Sequence, residues 1–229
     1  MKQITWLSDA VAPDWFPDTE TALDEPPGLL AAGGELTTRR LLVAYHRGIF
    51  PWYSAGQPVL WWAPDPREVL FPAEFRRRRS LDKAMRNRGF EVCFDRDFAQ
   101  VIDACAAPRD VGGGTWITPA MRAAYLDLHA LGHAHSIETW HEGTLAGGLY
   151  GVALGGVFFG ESMFARERDA SKVALAALVG QCPARSIGLI DCQLPSAHLR
   201  SLGSRPVSRR EFAALLARFR TDPRPEHWT

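Results

Sequence analysis

Apolar residues recur with two different periods along this chain, and the places where one period gives way to the other predict its elements. Leu41, Leu42 and Tyr45 repeat at helical spacing behind Thr37, which can cap the helix, and before Gly48, which can end it. Residues 80–88 and 98–106 have the same patterning, and a longer helix over 119–131 puts Met121, Tyr125 and Leu128 on one face, with Gly132 closing it. The period then drops to two. Residues 133–141, 145–154 and 157–164 are β-patterned and separated by turn residues, Gly155 and Gly156 among them, which predicts three consecutive antiparallel strands. Asp169 is placed to cap a further helix with Val173, Leu175, Leu178, Val179 and Cys182 inward. Residues 188–194 then read as a short buried strand and residues 208–219 as a last helix.

Proline is dense up to Pro72 and sparse beyond it. That contrast predicts a small α+β N-terminal domain over residues 1–65, with short punctuated elements, and a larger domain over residues 66–229. In the larger domain three strands precede a single helical crossover. This order predicts an α+β fold with a mixed, acetyltransferase-like (GNAT-type) sheet rather than a doubly wound one. The 229 residues suffice for one large core or two small ones.

Charge and cysteine usage narrow the class. The N-terminus has no apolar run long enough for a signal peptide, and the longest weakly polar stretch, residues 145–160, contains six glycines. It is too short and flexible to span a bilayer, so a cytoplasmic protein without a membrane segment is expected. Cys93, Cys105, Cys182 and Cys192 form no CxxC pair, which favours reduced thiols over a zinc knuckle or redox motif. Net charge is zero but uneven: residues 1–36 carry seven acids against one lysine, whereas residues 76–88 hold seven cations and a single acid, Asp82. The cluster points to a polyanionic partner, with a solvated helix face as the alternative.

Candidate chemistry lies in the strands. Residues two apart share a strand face, so Asp191 and Gln193 are expected side by side. A carboxylate in an apolar strand is costly unless paired, which favours a functional or hydrogen-bonded role for Asp191 over a strand-end aspartate in water. Glu161, within VFFGESMF, raises the same question, and Gly160 beside it marks a bulge or a close backbone approach. His133 and His135 share a face, but no third ligand stands at a recognisable spacing, so no metal site is expected. No Gly-x-Ser-x-Gly elbow or Walker loop is present, and Gly112, Gly113 and Gly114 precede TWIT without a Lys-Ser/Thr pair. Where an acetyltransferase would cradle coenzyme pyrophosphate, the turn reads ARERDASK, charged and without glycine. An acyl donor other than coenzyme A is expected, and no cofactor.

Taken together, RGIFPWY (47–53), LWWAPDPR (60–67), GTWIT (114–118), LGHAHSIE (131–138), GGLYGV (147–152), FGESMF (159–164), ASK (170–172) and IDCQ (190–193) closely resemble leucyl/phenylalanyl-tRNA–protein transferases, over residues 27–203. The resemblance implies a two-domain aminoacyltransferase that moves leucine or phenylalanine, with methionine as a third candidate, from aminoacyl-tRNA to the N-terminal arginine or lysine of an acceptor protein. The product would be an N-degron. It further implies that Tyr45, Trp52, Trp116 and Tyr125 hold the donor's terminal adenosine, and that Leu149, Phe158, Met163, Leu175, Leu178 and Ile190 line the side-chain pocket. At Leu178 and Cys182 this chain departs from the aromatics of better-known members, which would reshape that pocket.

The basic cluster would then meet the tRNA backbone through Arg76, Arg79, Lys83 and Arg86. An aminoacyl ester is already activated, so its aminolysis needs an aligned amine and help for developing charge, not ATP or a metal. The expected catalytic groups are Gln193, bonded to the attacking amine; Asp191, orienting it or taking its proton; and Glu161, facing the acceptor's positive charge. A monomer is expected. Two rivals are a coenzyme A-dependent N-acetyltransferase and a non-catalytic RNA-binding module; the glycine-free turn argues against the first, the paired polar groups around Asp191 against the second.

Overall fold

Two sheets carry the chain, and the computed structural model describes residues 2–8, 12, 14–107, 115–219 and 228 of it. The first sheet is formed by β1 (Thr5–Leu7), β2 (Leu29–Gly33), β3 (Phe50–Pro51) and β4 (Leu60–Trp62), in the order β1-β2-β4-β3. Between β2 and β3 lies α1 (Thr38–His46). It begins where Thr37 Oγ1 accepts the Arg40 N–H at 3.2 Å and ends before Gly48, whose φ of 73° a side chain would resist. Leu41, Ala44 and Tyr45 form its buried face.

The second sheet has seven strands. In chain order the elements are β5 (Arg67–Leu70), α2 (Arg79–Asn87), β6 (Glu91–Phe94), α3 (Phe98–Ala106), α4 (Pro119–Ala130), β7 (Ala134–His141), β8 (Thr144–Leu154), β9 (Val157–Ala165), α5 (Ala170–Gln181), β10 (Leu189–Gln193), α6 (Ala197–Ser201), β11 (Arg205–Val207) and α7 (Arg209–Phe219). The strand order is β11-β5-β10-β9-β8-β7-β6. β9 and β10 run parallel across the α5 crossover, and the other neighbours are antiparallel. The predicted meander and crossover are therefore present, and the sheet is mixed rather than doubly wound. β5, β6, β11 and α6 are additional to the prediction. They are three to five residues long, and β5 is buried throughout with Arg67 and Glu68 in it, so no apolar alternation marks it.

The change of sheet falls between Trp62 and Arg67, yet one apolar cluster runs from Leu7 and Trp61 through Tyr45 to Tyr125, Phe159 and Phe212. The two sheets share a core. A second cluster, under α5, gathers Leu149, Phe158, Leu175, Leu178 and Ile190.

One local expectation needs correction. Asp169 does not cap α5: it adopts a left-handed conformation (φ 68°), and its carboxylate accepts from Lys172 Nζ at 2.9 Å. His133 immediately precedes β7 and continues its pairing with β8, its carbonyl accepting the Ala153 N–H at 2.8 Å; the His135 ring stacks on Trp228 at 4.2 Å while Nδ1 meets Asp95 Oδ2 at 2.7 Å. Among the described residues no helix is long and apolar enough to cross a membrane. Gly112, Gly113 and Gly114 lie outside the described residues.

Candidate active site

β9 and β10 pair only as far as Phe159 and Asp191, although β9 continues to Ala165, so the two strands part at this point. Each carries an irregularity there. On β9 the register passes from Gly160 opposite Gly151 to Ser162 opposite Tyr150, which leaves Glu161 as the extra residue. On β10 it passes from Asp191 opposite Val69 to Gln193 opposite Glu68, and Gln193 takes φ 62°. The paired bulges turn Glu161 and Gln193 toward each other, and Gln193 Nε2 donates to Glu161 Oε1 at 2.7 Å.

The bulge at Gln193 changes the relation expected from strand periodicity. Asp191 and Gln193 are linked through the backbone, the Gln193 N–H donating to Asp191 Oδ1 at 2.9 Å, while the Gln193 side chain goes to Glu161. Asp191 is fully buried, and its two oxygens accept from Arg67 Nε at 2.8 Å and Nη2 at 2.6 Å. Arg67 belongs to the LWWAPDPR motif but was not singled out by pattern. The signal that points to it is charge: a buried carboxylate demands a buried cation, and Arg67 sits in a strand with no exposed residue.

Glu161 is the electrostatic focus. Its Oε2 accepts the Tyr125 hydroxyl at 2.7 Å, and that hydroxyl is in turn in a short hydrogen bond with Tyr45. Burial pushes the Glu161 carboxyl up from 4.5 to about 7, against the pull of the two tyrosine hydroxyls. The same burial, with Glu161 nearby, raises the Tyr45 and Tyr125 phenols well above 10, so both remain hydrogen-bond donors.

Of the four aromatics expected at an adenosine, the structure brings two together. Trp52, 41% exposed, and Trp116 flank an open cleft whose other wall includes Gln193, Glu161, Met163 and His198. Tyr45 and Tyr125 are not at this surface: both are 0% exposed and lie behind Glu161. The six apolar pocket residues, Leu149, Phe158, Met163, Leu175, Leu178 and Ile190, all line one cavity of about 130 Å³, and Glu161, Asp191 and Gln193 occur in its wall. Cys182 is buried in the same cluster, its thiol pushed up to about 12 by burial, but it does not line the cavity.

Arg76, Arg79, Lys83 and Arg86 stand exposed on or just ahead of α2, whose Leu81 and Ala84 pack on Val173 and Ala176 of α5. Arg77 within the run pairs with Asp82. α5 thus meets the basic helix on one side and contributes Leu175 and Leu178 to the cavity on another.

A family profile described as leucyl/phenylalanyl-tRNA protein transferase matches residues 69–217, and the profile of that family's N-terminal domain matches residues 34–65. The leucyl/phenylalanyl-tRNA–protein transferase of Azoarcus sp. (strain BH72) is 60% identical over 227 residues, covering 99% of this chain and 95% of the relative. That of Pseudomonas entomophila (strain L48) is 56% identical over 226 residues, covering 98% and 99%. Among solved structures, a GCN5-related N-acetyltransferase from Kribbella flavida aligns with 73% of this chain and 60% of its own, at 13% identity and a TM-score of 0.41.

Proposed function

The chain belongs to the leucyl/phenylalanyl-tRNA protein transferase family, whose members are aminoacyltransferases, and from that premise we propose that it moves leucine or phenylalanine from aminoacyl-tRNA to the N-terminal arginine or lysine of acceptor proteins. The observation that carries this reading is the apolar cavity of about 130 Å³ that ends on Gln193 and Glu161, beside a cleft flanked by Trp52 and Trp116. An apolar cavity of about 150 Å³ admits benzene, so this one suits an isobutyl or a tightly held phenyl group. A charged or amide side chain would be left unpaired there.

In this reading the donor's side chain enters the cavity, its terminal base lies against Trp52 and Trp116, and the ester carbonyl sits at the mouth. Segment 1–65 contributes Phe50, Pro51 and Trp52 to the cleft, and segment 66–229 contributes Trp116 and the rest of the site. The acceptor amine, with a pKa near 8, is about one-tenth neutral at pH 7. Because Gln193 gives its amide N–H to Glu161, its amide oxygen is the part left to accept an N–H of that amine and aim the nitrogen lone pair at the carbonyl. The C–N bond forms, the ester C–O bond breaks, and the ribose oxygen leaves with a proton from the attacking nitrogen.

Both Glu161 oxygens are already engaged, so its charge reaches the acceptor across the Gln193 amide rather than by direct contact. A cationic N-terminal residue is favoured by that field. The basic run ahead of and along α2 meets the tRNA backbone, which carries no information about tRNA sequence.

The test offers radiolabelled leucyl-tRNA or acetyl-CoA, in parallel, with proteins beginning with arginine, lysine or serine. Label should pass from leucyl-tRNA to the first two N-termini and not to the third. Label from acetyl-CoA, or tRNA binding with no transfer, would overturn the reading.

A further inference from the structure

We propose that Arg67 is a positioning residue for aminoacyl transfer, holding Asp191 as the anchor of the turn that aims Gln193, so that Asp191 serves the reaction as a fixed acceptor of hydrogen bonds and not as the group that takes the proton. The proposal rests on the reading of the site given above and adds to it a residue and a changed role for Asp191.

The Arg67 side chain is 2% exposed and its surroundings leave it little freedom. Nε and Nη2 donate to the two oxygens of Asp191, at 2.8 and 2.6 Å. Nη1 donates to the Gly48 carbonyl at 3.1 Å, and the rings of Phe50 and Phe212 each lie 4.7 Å from Cζ. Four segments therefore meet at one guanidinium: the chain entering β3, β5, β10 and α7. The planar, five-donor group can serve them together, whereas an ammonium at the same place could not.

A buried ion pair of this kind contributes little net stability, since desolvation offsets most of the attraction. What it supplies is geometry. Asp191 Oδ1, held by Arg67 Nε, also accepts the Gln193 N–H at 2.9 Å. That bond closes the turn in which Gln193 adopts φ 62°, a conformation a glutamine keeps only when its surroundings hold it. An extended backbone at this position would send the side chain to another face of the strand and away from Glu161. Arg67 at the same time grips Gly48 and Phe50, which lead directly to Trp52. One side chain thereby sets the position of the donor platform relative to the amide that orients the amine.

The experiment compares Arg67→Lys, Asp191→Asn and the double variant Arg67→Gln with Asp191→Asn. Each is followed by leucyl transfer from tRNA to an arginine-headed protein, with kcat, both KM values, the pH profile and thermal melting recorded. Arg67→Lys keeps the charge and loses the fork; kcat should fall at least tenfold, with both KM values within about threefold and a cooperative melt. The double variant replaces the pair by neutral hydrogen-bonding groups and so leaves no buried charge unpaired, the condition that destabilises a single variant. Its glutamine can still donate to position 191, and the asparagine oxygen can still accept from Gln193. It should transfer leucine at least tenfold faster than Asp191→Asn alone and keep the wild-type pH profile. A folded Arg67→Lys protein with kcat within twofold of wild type would overturn the proposal. So would a folded double variant with no transfer, the result expected if Asp191 takes the proton. Absence of transfer by the wild-type protein would instead sink the functional reading itself.

Discussion

Glu161 is a carboxylate held where a carboxylate is expensive, and its chemistry follows from that single fact. Burial raises its folded-state value from 4.5 to about 7, so the folded protein binds the proton more tightly than the unfolded chain does. The associated stability is present in full below pH 4.5 and is lost as pH rises through 7, on the order of 3 kcal/mol in all. Denaturant unfolding at pH 5 and pH 8 should accordingly show the wild-type protein losing more stability across that interval than Glu161→Gln, by roughly that amount; equal losses would place the titrating group elsewhere. Gln193→Ala removes the amide that aims the amine. It should lower kcat on the order of a hundredfold while tRNA affinity, measured by filter binding, moves less than threefold. At this scale the six apolar pocket residues came from the family resemblance rather than from periodicity, and all six line one cavity. The destination of Tyr45 and Tyr125 was not readable from the chain. Both lie on apolar helix faces, and only the packed position of α1 and α4 decides that their hydroxyls end on a buried carboxylate rather than at a cleft.

The elements that matter most to the site are two bulges, and each has a sequence trace of different strength. Gly160 hinted at the irregularity on β9, since a glycine in a strand interior marks a bulge or close approach. The glycine across from it is under tighter constraint: a Cβ on Gly151 would lie 2.2 Å from the Phe159 carbonyl oxygen and 2.6 Å from the Phe158 ring. Gly151→Ala should therefore cost about 3 kcal/mol or more by chemical denaturation, and should reduce transfer by shifting Glu161 with the register. Ordinary melting behaviour would mean that β8 can yield at this point. The bulge on β10 left no such mark. Gln193 is an unremarkable residue for a strand, and its left-handed backbone is imposed by Asp191 and, through it, by Arg67. Helix starts were legible in part: Thr37 caps α1 as its side chain allows, whereas Asp169 gives its carboxylate to Lys172 instead, and the Thr118 cap of α4 emerges from the structure.

For the whole molecule the net charge of zero conceals the feature that a polyanion would meet, the exposed cations ahead of and along α2. Replacing Arg79 and Lys83 together by glutamate should raise the KM for aminoacyl-tRNA on the order of tenfold. It should also flatten the slope of log affinity against log salt by roughly 2, at about 0.9 for each duplex phosphate that is no longer neutralised. An unaltered slope would leave these residues as a solvated helix face. The long-range pairings of the fold lie beyond such patterning. The sequence by itself determined the strand meander, the crossover helix and the basic run, because periodicity, turn residues and charge are local and repeat within a dozen positions. Only the tertiary structure decided that Arg67 meets Asp191 across 124 residues, that the two sheets share one core, and that Glu161 and Gln193 face each other. Those pairings depend on which strands become neighbours and where their registers slip. A single chain does not display these choices until its buried charges have found partners.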